Sequence, residues 1–455
     1  MIPSQEKFKQ GVNKLSPVQI ILLFYFLLVI VSTGLLALPI AHQPDAQFTF
    51  SDILFTAVSA LSVTGLSTIT VVDTLNTTGV IILAFILQIG AVGVMTIGTF
   101  IWLVFGKKIG LKERRLIMAD QNQTRFEGIV RLIKQIIYVL LTFELFCFII
   151  LGTYFLQYFP DPKEAYLHGF FGTISAFSNG GFDITGQSLM PYKNDYFIQF
   201  MNMVLIIFGA IGFPVLIEVK EFVSSKLKRR GPFRFSLFTK VTTTTFFLLI
   251  VVGTGFIYLL DMNHFFSDGT WHENFFYALF QSVTTRSGGL STLEVSQLTE
   301  QNHLLMSFLM FIGASPSSAG GGIRTTTFAL VVIFIITFAR GGQSLRLFKR
   351  EVYDDDLMKA VTVVMMAIIL VTSAVFVISI VEPFDLTAIL FEVSSAFGTV
   401  GLSLGITSDL TLFSKSVLMI LMFIGRVGVI SFLLVFKNNK PNGRYHLPKE
   451  RIIIG

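Results

Sequence analysis

Four short loops carry the residue types that could strip and hold a cation. They read Ala60-Leu61-Ser62-Val63-Thr64-Gly65-Leu66, Ala176-Phe177-Ser178-Asn179-Gly180-Gly181-Phe182, Thr284-Thr285-Arg286-Ser287-Gly288-Gly289-Leu290 and Ala396-Phe397-Gly398-Thr399-Val400-Gly401-Leu402. The glycines Gly65, Gly181, Gly289 and Gly401 lie 116, 108 and 112 residues apart. A period that regular sets the architecture. Glycine admits left-handed dihedrals, so successive carbonyls can be aimed at one axis. Rings of such carbonyls, contributed by four convergent loops, can replace the hydration shell of a dehydrated cation. The plainer alternative is four tight turns in connecting loops, but turns alone would not share their flanking segments.

A second group lies in a long apolar segment that its own sequence breaks. Gly313-Ala314-Ser315-Pro316-Ser317-Ser318-Ala319-Gly320-Gly321-Gly322 cannot continue a helix, because proline removes a donor and each glycine costs about 1 kcal/mol. At membrane depth such backbone must border an aqueous path. A nucleotide loop is excluded, since Gly322 leads into Ile323-Arg324-Thr325 and not into Lys-Ser/Thr. Arg426 sits within another apolar run, where a charge must face the interior and find partners. Glu144 and Arg286 read as braces of the fold. The histidines show no ligand spacing, and Cys147 is the one cysteine, so neither a zinc site nor a disulfide is expected. No pair of groups forms a catalytic set, and no enzyme activity is expected.

These residues need a membrane frame. Of the 455 residues 53% are hydrophobic and 14% charged, with a mean hydropathy of +0.73, well outside the soluble norm. Apolar runs of span length occur at 18–40, 79–105, 136–159, 200–217, 241–260, 304–339 (interrupted), 361–381 and 416–436. Between the members of each pair lies a shorter amphipathic stretch ending at a loop glycine, such as Ser51–Leu61 or Asn274–Val283. The predicted unit is span, half-helix, loop, span, repeated four times in an all-α polytopic membrane protein. A further mark recurs 24 to 28 residues after each loop glycine, at Gly90, Gly209, Gly313 and Gly425; helix packing explains most of these. The division is a cytoplasmic N-terminus (1–17), repeats at 18–106, 136–219, 241–340 and 361–436, basic cytoplasmic loops at 107–135, 220–240 and 341–360, and a cytoplasmic C-terminus (437–455). Lys and Arg concentrate in those loops and termini, which makes them cytoplasmic. Acids collect on the opposite side, where they would concentrate cations. The net charge of +6 therefore faces membrane lipid, not nucleic acid.

Over nearly the whole chain the sequence resembles the ion-translocating subunit of the Trk/Ktr/HKT potassium-transporter superfamily, nearest the bacterial Ktr type. The fragments that carry the resemblance are Ser-Val-Thr-Gly-Leu at 62–66, Ser-Ala-Phe-Ser-Asn-Gly-Gly-Phe at 175–182, Val-Thr-Thr-Arg-Ser-Gly-Gly-Leu at 283–290 and Ser-Ala-Phe-Gly-Thr-Val-Gly-Leu at 395–402. It implies one pore per chain on a pseudo-fourfold axis. The four loop glycines would be the selectivity filter, with potassium held by Val63-Thr64-Gly65, Asn179-Gly180-Gly181, Ser287-Gly288-Gly289 and Thr399-Val400-Gly401. Gly65, where sodium-favouring relatives commonly have serine, points to potassium. The third loop departs slightly, with Ser287-Gly288 in place of Thr-Ala. The resemblance also implies that the broken segment gates the pore through Gly313, Pro316, Gly320, Gly321 and Gly322, with Arg426 beneath the filter. It further implies a homodimer on a cytosolic ring of nucleotide-binding regulatory subunits, with potassium as substrate and no cofactor in this chain. Potassium uptake across the plasma membrane follows; sodium-coupled symport through the same pore is the alternative.

Overall fold

The computed structural model describes residues 17–93, 129–227, 233–342 and 344–435 with a few isolated positions. Most of the basic loop at 107–135, part of that at 220–240 and nearly all of the two termini lie outside the described residues.

Each repeat opens with one long helix: α1 (Pro17–Leu36), α4 (Ile129–Phe155), α8 (Leu237–Asp261) and α12 (Asp354–Val381). These four are long and apolar enough to cross a bilayer. Their outer faces leave residues such as Phe26, Phe146, Val251 and Phe376 exposed, as a lipid-facing surface requires. Four short helices follow them: α2 (Phe50–Ser62), α5 (Pro162–Ser178), α9 (Trp271–Thr284) and α13 (Leu386–Gly398). Their starts are written in sequence. Thr49 with Asp52 and Thr270 with Glu273 form capping boxes, and Asp161 caps α5 ahead of Pro162.

The second spans correct the sequence expectation, which interrupted only the third. All four stop short, as α3 (Thr77–Val92), α6 (Tyr196–Ala210), α10 (Glu300–Ile312) and α14 (Leu412–Val427). Gly93, Gly212, Gly313 and Gly428 follow their ends with φ of 92°, 100°, 69° and 94°, values open to glycine and strained for other residues. Beyond the breaks run α7 (Phe213–Leu227), α11 (Thr325–Ala339) and α15 (Val429–Val435), and α7 leaves α6 at 105°.

The repeats close into a ring. Each second span packs on the short helix of the next repeat: α3 on α5, α6 on α9, α10 on α13, and α14 back on α2. The glycines at the recurring mark allow close approach within a repeat. A Cβ at Gly90, Gly209 or Gly425 would strike the carbonyl of Leu61, Phe177 or Phe397 near the end of the short helix. Gly313 is the exception; it starts the break.

Candidate functional site: four loops and the segment beneath them

The short helices α2, α5 and α13 end in one and the same turn. The residue two before the loop glycine takes the left-handed conformation: Val63 (φ 58°), Asn179 (φ 60°) and Thr399 (φ 46°). The next N–H returns to the carbonyl of Ser59, Ser175 or Ser395 at 2.8, 2.8 and 2.9 Å. Left-handed Val63 and Thr399 each cost about 1–2 kcal/mol. Strain repeated at equivalent positions marks a backbone held by its surroundings for a purpose. The loop glycines are left-handed as well, with φ of 97°, 65°, 74° and 96°, while Thr64, Gly180, Gly288 and Val400 between them are not. Ser59 and Ser395 hydroxyls accept from the N–H of Gly65 and Gly401, both at 3.0 Å.

The third loop is built differently. Helix α9 stops at Thr284, Ser287 takes φ 74°, and its hydroxyl donates to the Thr399 carbonyl at 2.5 Å. Arg286 is fully buried behind the loop and donates to the Leu309 carbonyl at 2.5 Å.

The four glycines meet. A Cβ built on Gly65 would lie 2.5 Å from the Gly180 carbonyl oxygen, and one on Gly181 would lie 2.8 Å from Gly289 Cα. One on Gly289 would strike the Val400 carbonyl, and one on Gly401 the Thr64 carbonyl. Each loop thus abuts the next, and the fourth abuts the first. All four glycines line one funnel of about 420 Å³.

On the opposite side the segment after Gly313 lies directly against the ring. A Cβ on Gly321 would lie 2.6 Å from Thr399 Oγ1, and one on Gly320 2.5 Å from Ser287 Cβ. The segment is tied to the kink of repeat 2. Ser315 N–H donates to the Ala210 carbonyl and Ala319 N–H to the Gly209 carbonyl, both at 3.0 Å, and Phe213 N–H donates to the Ser317 carbonyl at 2.8 Å. Pro316 presents its carbonyl to the Cβ side of Gly212. Arg426 straps the segment from repeat 4: Nη1 donates to the carbonyls of Ser318 (3.3 Å) and Ala319, and Nη2 to those of Ala91 (2.8 Å) and Gly90. Arg324 is a second strap that sequence reasoning passed over. Its Nη1 donates to the carbonyls of Ser315 (3.2 Å) and Gly320, and its Nη2 to that of Arg426 at 3.3 Å.

A family of cation-transport proteins, TrkH, matches residues 15–447. The chain belongs to the TrkH family. It is 56% identical to the Ktr system potassium uptake protein D of Bacillus subtilis over 99% of both chains. It is 33% identical to the Ktr system potassium uptake protein B of the same organism, over 95% of this chain and 96% of that one. Its fold is similar to the crystal structure of the potassium transporter TrkH from Vibrio parahaemolyticus, with a TM-score of 0.68 at 20% identity, over 91% of this chain and 84% of that one.

In this TrkH-family chain several of the acids expected to gather cations also hold the fold. Asp261 accepts from Thr299 N–H at 3.0 Å, and Glu382 from Thr411 N–H at 2.9 Å. Among the described acids only Asp183 and Glu294 line the funnel. Asp183 is tied into its own loop by Thr185 and Ser188. Glu392, another residue the sequence did not single out, accepts from Ser403 (2.5 Å), the Leu404 N–H (3.2 Å) and Thr407 (2.9 Å), fixing the chain just after Gly401. Glu144 is buried, with one carboxyl oxygen 2.9 Å from Gln88 Nε2. It thereby joins repeat 2 to repeat 1.

Proposed function

We propose that this chain takes up potassium through the ring of four loops, with the segment 314–322 as its gate. The observation that carries the reading is the closed ring itself, open to a funnel on one side and covered by a glycine-rich segment on the other. The carbonyls of Val63, Thr64 and Gly65, and of Asn179-Gly180-Gly181, Ser287-Gly288-Gly289 and Thr399-Val400-Gly401, would replace the water of a potassium ion. The negative ends of α2, α5, α9 and α13 face the ring and favour a cation. The names of the curated relatives support potassium as substrate. A membrane potential contributes about 2.3 kcal/mol per charge per 100 mV, enough to drive accumulation without an energy source in this chain.

Inward passage requires the gate to move, since Gly320 and Gly321 touch the ring and two guanidinium groups lie beside the path. A segment held by hydrogen bonds and the packing of small residues such as Ala314 and Ala319 is a two-state element that a partner can bias. We assign that bias to a cytosolic nucleotide-binding ring acting on a homodimer of this chain, in a plasma membrane with both termini cytoplasmic. The repeat limits 18–106, 136–219, 241–340 and 361–436 are the units of this reading. The test is potassium and rubidium flux in proteoliposomes, with and without sodium, for the intact chain and for a variant with part of 315–321 deleted. Higher basal flux with unchanged ion preference is the expected result of the deletion. A folded deletion variant whose flux stays low removes the gate assignment. Flux that requires sodium makes the pore a symporter.

A further inference from the structure

On the outer wall between repeats 2 and 3 a crevice of about 680 Å³ opens among α4, the α6–α7 kink and α8. Its volume is that of a small-molecule site. Phe143, Phe208, Ile211 and Phe247 supply its apolar lining, and Phe143 stacks on Phe208 with centroids 4.2 Å apart. The one cation lining it is Lys220, whose ammonium lies 4.3 Å from the Tyr138 ring centroid. Among the described residues the ion pairs leave Lys220 without a carboxylate. Lys220 stands on α7 where the chain enters a basic loop, on the side that the Lys/Arg bias makes cytoplasmic. An apolar slot in a membrane wall with one unpaired cation at its cytoplasmic end fits one kind of occupant. We propose that the crevice binds the acyl chain of an anionic phospholipid, with its headgroup phosphate at Lys220, and that this lipid braces the gate.

The brace follows from which residues are shared, and it rests on the reading of 314–322 as the gate. Phe208 and Ile211 line the crevice. Between and beside them, Gly209, Ala210 and Phe213 make the three backbone hydrogen bonds that hold Ser315, Ser317 and Ala319. An acyl chain against Phe208 and Ile211 fills the outer side of the kink whose inner side carries the gate. Filling the slot keeps the kink in the conformation that makes those bonds. Emptying it frees the kink to relax and the segment to leave.

The experiment uses the full chain, purified and reconstituted in vesicles of phosphatidylcholine with or without phosphatidylglycerol. Lipid retained by the protein is measured by mass spectrometry, and basal potassium flux is measured in the same vesicles. Lys220→Ala should lower retained phosphatidylglycerol about fivefold relative to phosphatidylcholine, the effect of one interfacial cation, and Lys220→Arg should restore it. Thr142→Trp, or Thr243→Trp, should displace both lipids by filling the slot. Phosphatidylglycerol should lower basal flux in the intact chain and not in Lys220→Ala. Retention unchanged in Lys220→Ala and in both tryptophan variants overturns the site. Retention that depends on Lys220 while flux ignores the lipid overturns the brace. The deletion within 315–321 separates these failures from that of the gate: if its flux stays low the gate reading fails, while lipid retention still reports on the crevice.

Discussion

Gly65→Ser tests the ring most directly. Two costs follow from the geometry. The residue keeps φ 97°, which costs a side chain about 1–2 kcal/mol. Its Cβ would also lie 2.5 Å from the Gly180 carbonyl oxygen, so that oxygen must withdraw by roughly 0.9 Å to reach ordinary contact. A carbonyl that far out of place loses its charge–dipole contact with a dehydrated ion, of the order of a hydrogen bond to a charged group, about 1.5–3 kcal/mol. If that loss falls on potassium more than on sodium, discrimination should drop at least about tenfold, the equivalent of 1.4 kcal/mol. The assay is the ratio of rubidium to sodium flux in proteoliposomes, with thermal stability as the check on folding. Gly405→Ser separates strain from ring geometry. Gly405 has φ 92° and lines the same funnel, yet nothing lies within 4 Å of its Cβ position. It should lose only the strain part, about 1–2 kcal/mol, and keep its selectivity. Selectivity retained in a folded Gly65→Ser protein, or lost equally in Gly405→Ser, would refute the reasoning.

Arg426→Gln and Arg324→Gln should each raise basal flux, and because both side chains bond the Gly320 carbonyl a double-mutant cycle should show coupling of about 0.5–3 kcal/mol; additive effects would separate the straps. Glu144→Leu should leave the Gln88 amide without its partner and cost about 1–3 kcal/mol, read as a lower melting temperature with unchanged ion preference, whereas Glu144→Gln should cost less. Asp195 lies outside the spans; burial raises its pKa, but donation from Tyr158, the Ile198 N–H, Tyr154 and the Phe197 N–H outweighs that and holds it below the ordinary aspartate value. Its contribution to stability is therefore complete above the unfolded pKa of about 3.9 and is lost as pH falls through the lower folded value, so Asp195→Asn should be less stable at neutral pH and should flatten that part of the acid melting curve.

The fourfold period was legible because it is written twice, in the loops and in the glycines that press against them. The broken second spans were not, because a hydropathy window averages a single glycine into its apolar neighbours. A signal was present all the same. Gly90 and Gly93, Gly209 and Gly212, and Gly425 and Gly428 stand three apart, and Pro316 follows Gly313 by the same step. The first of each pair gives close packing, and the second turns the chain in repeats 1, 2 and 4. A ring of four loops was expected, but which second span packs on which short helix was not legible, since nothing local in α3 specifies that it packs on α5.

The breaks also explain how three arginines can sit at membrane depth. A helix that stops leaves its last four carbonyls without intrahelical partners, and in hydrocarbon these need donors. Arg426 donates to Gly90 and Ala91, in the last turn of α3. Arg286 adds a second donor to the Leu309 carbonyl, which already accepts from the Gly313 N–H at the end of α10, and Arg324 donates to Arg426, in the last turn of α14. Each cation thus meets the negative end of a half-helix, where a positive charge is favoured. In the sequence Arg426 reads as a charge that an apolar span must somehow tolerate. In the fold it caps α3, and the same guanidinium straps the segment beneath the ring. Release of that segment from Arg426 would therefore also disturb the cap of a helix, which ties the position of the segment to the integrity of the wall around it.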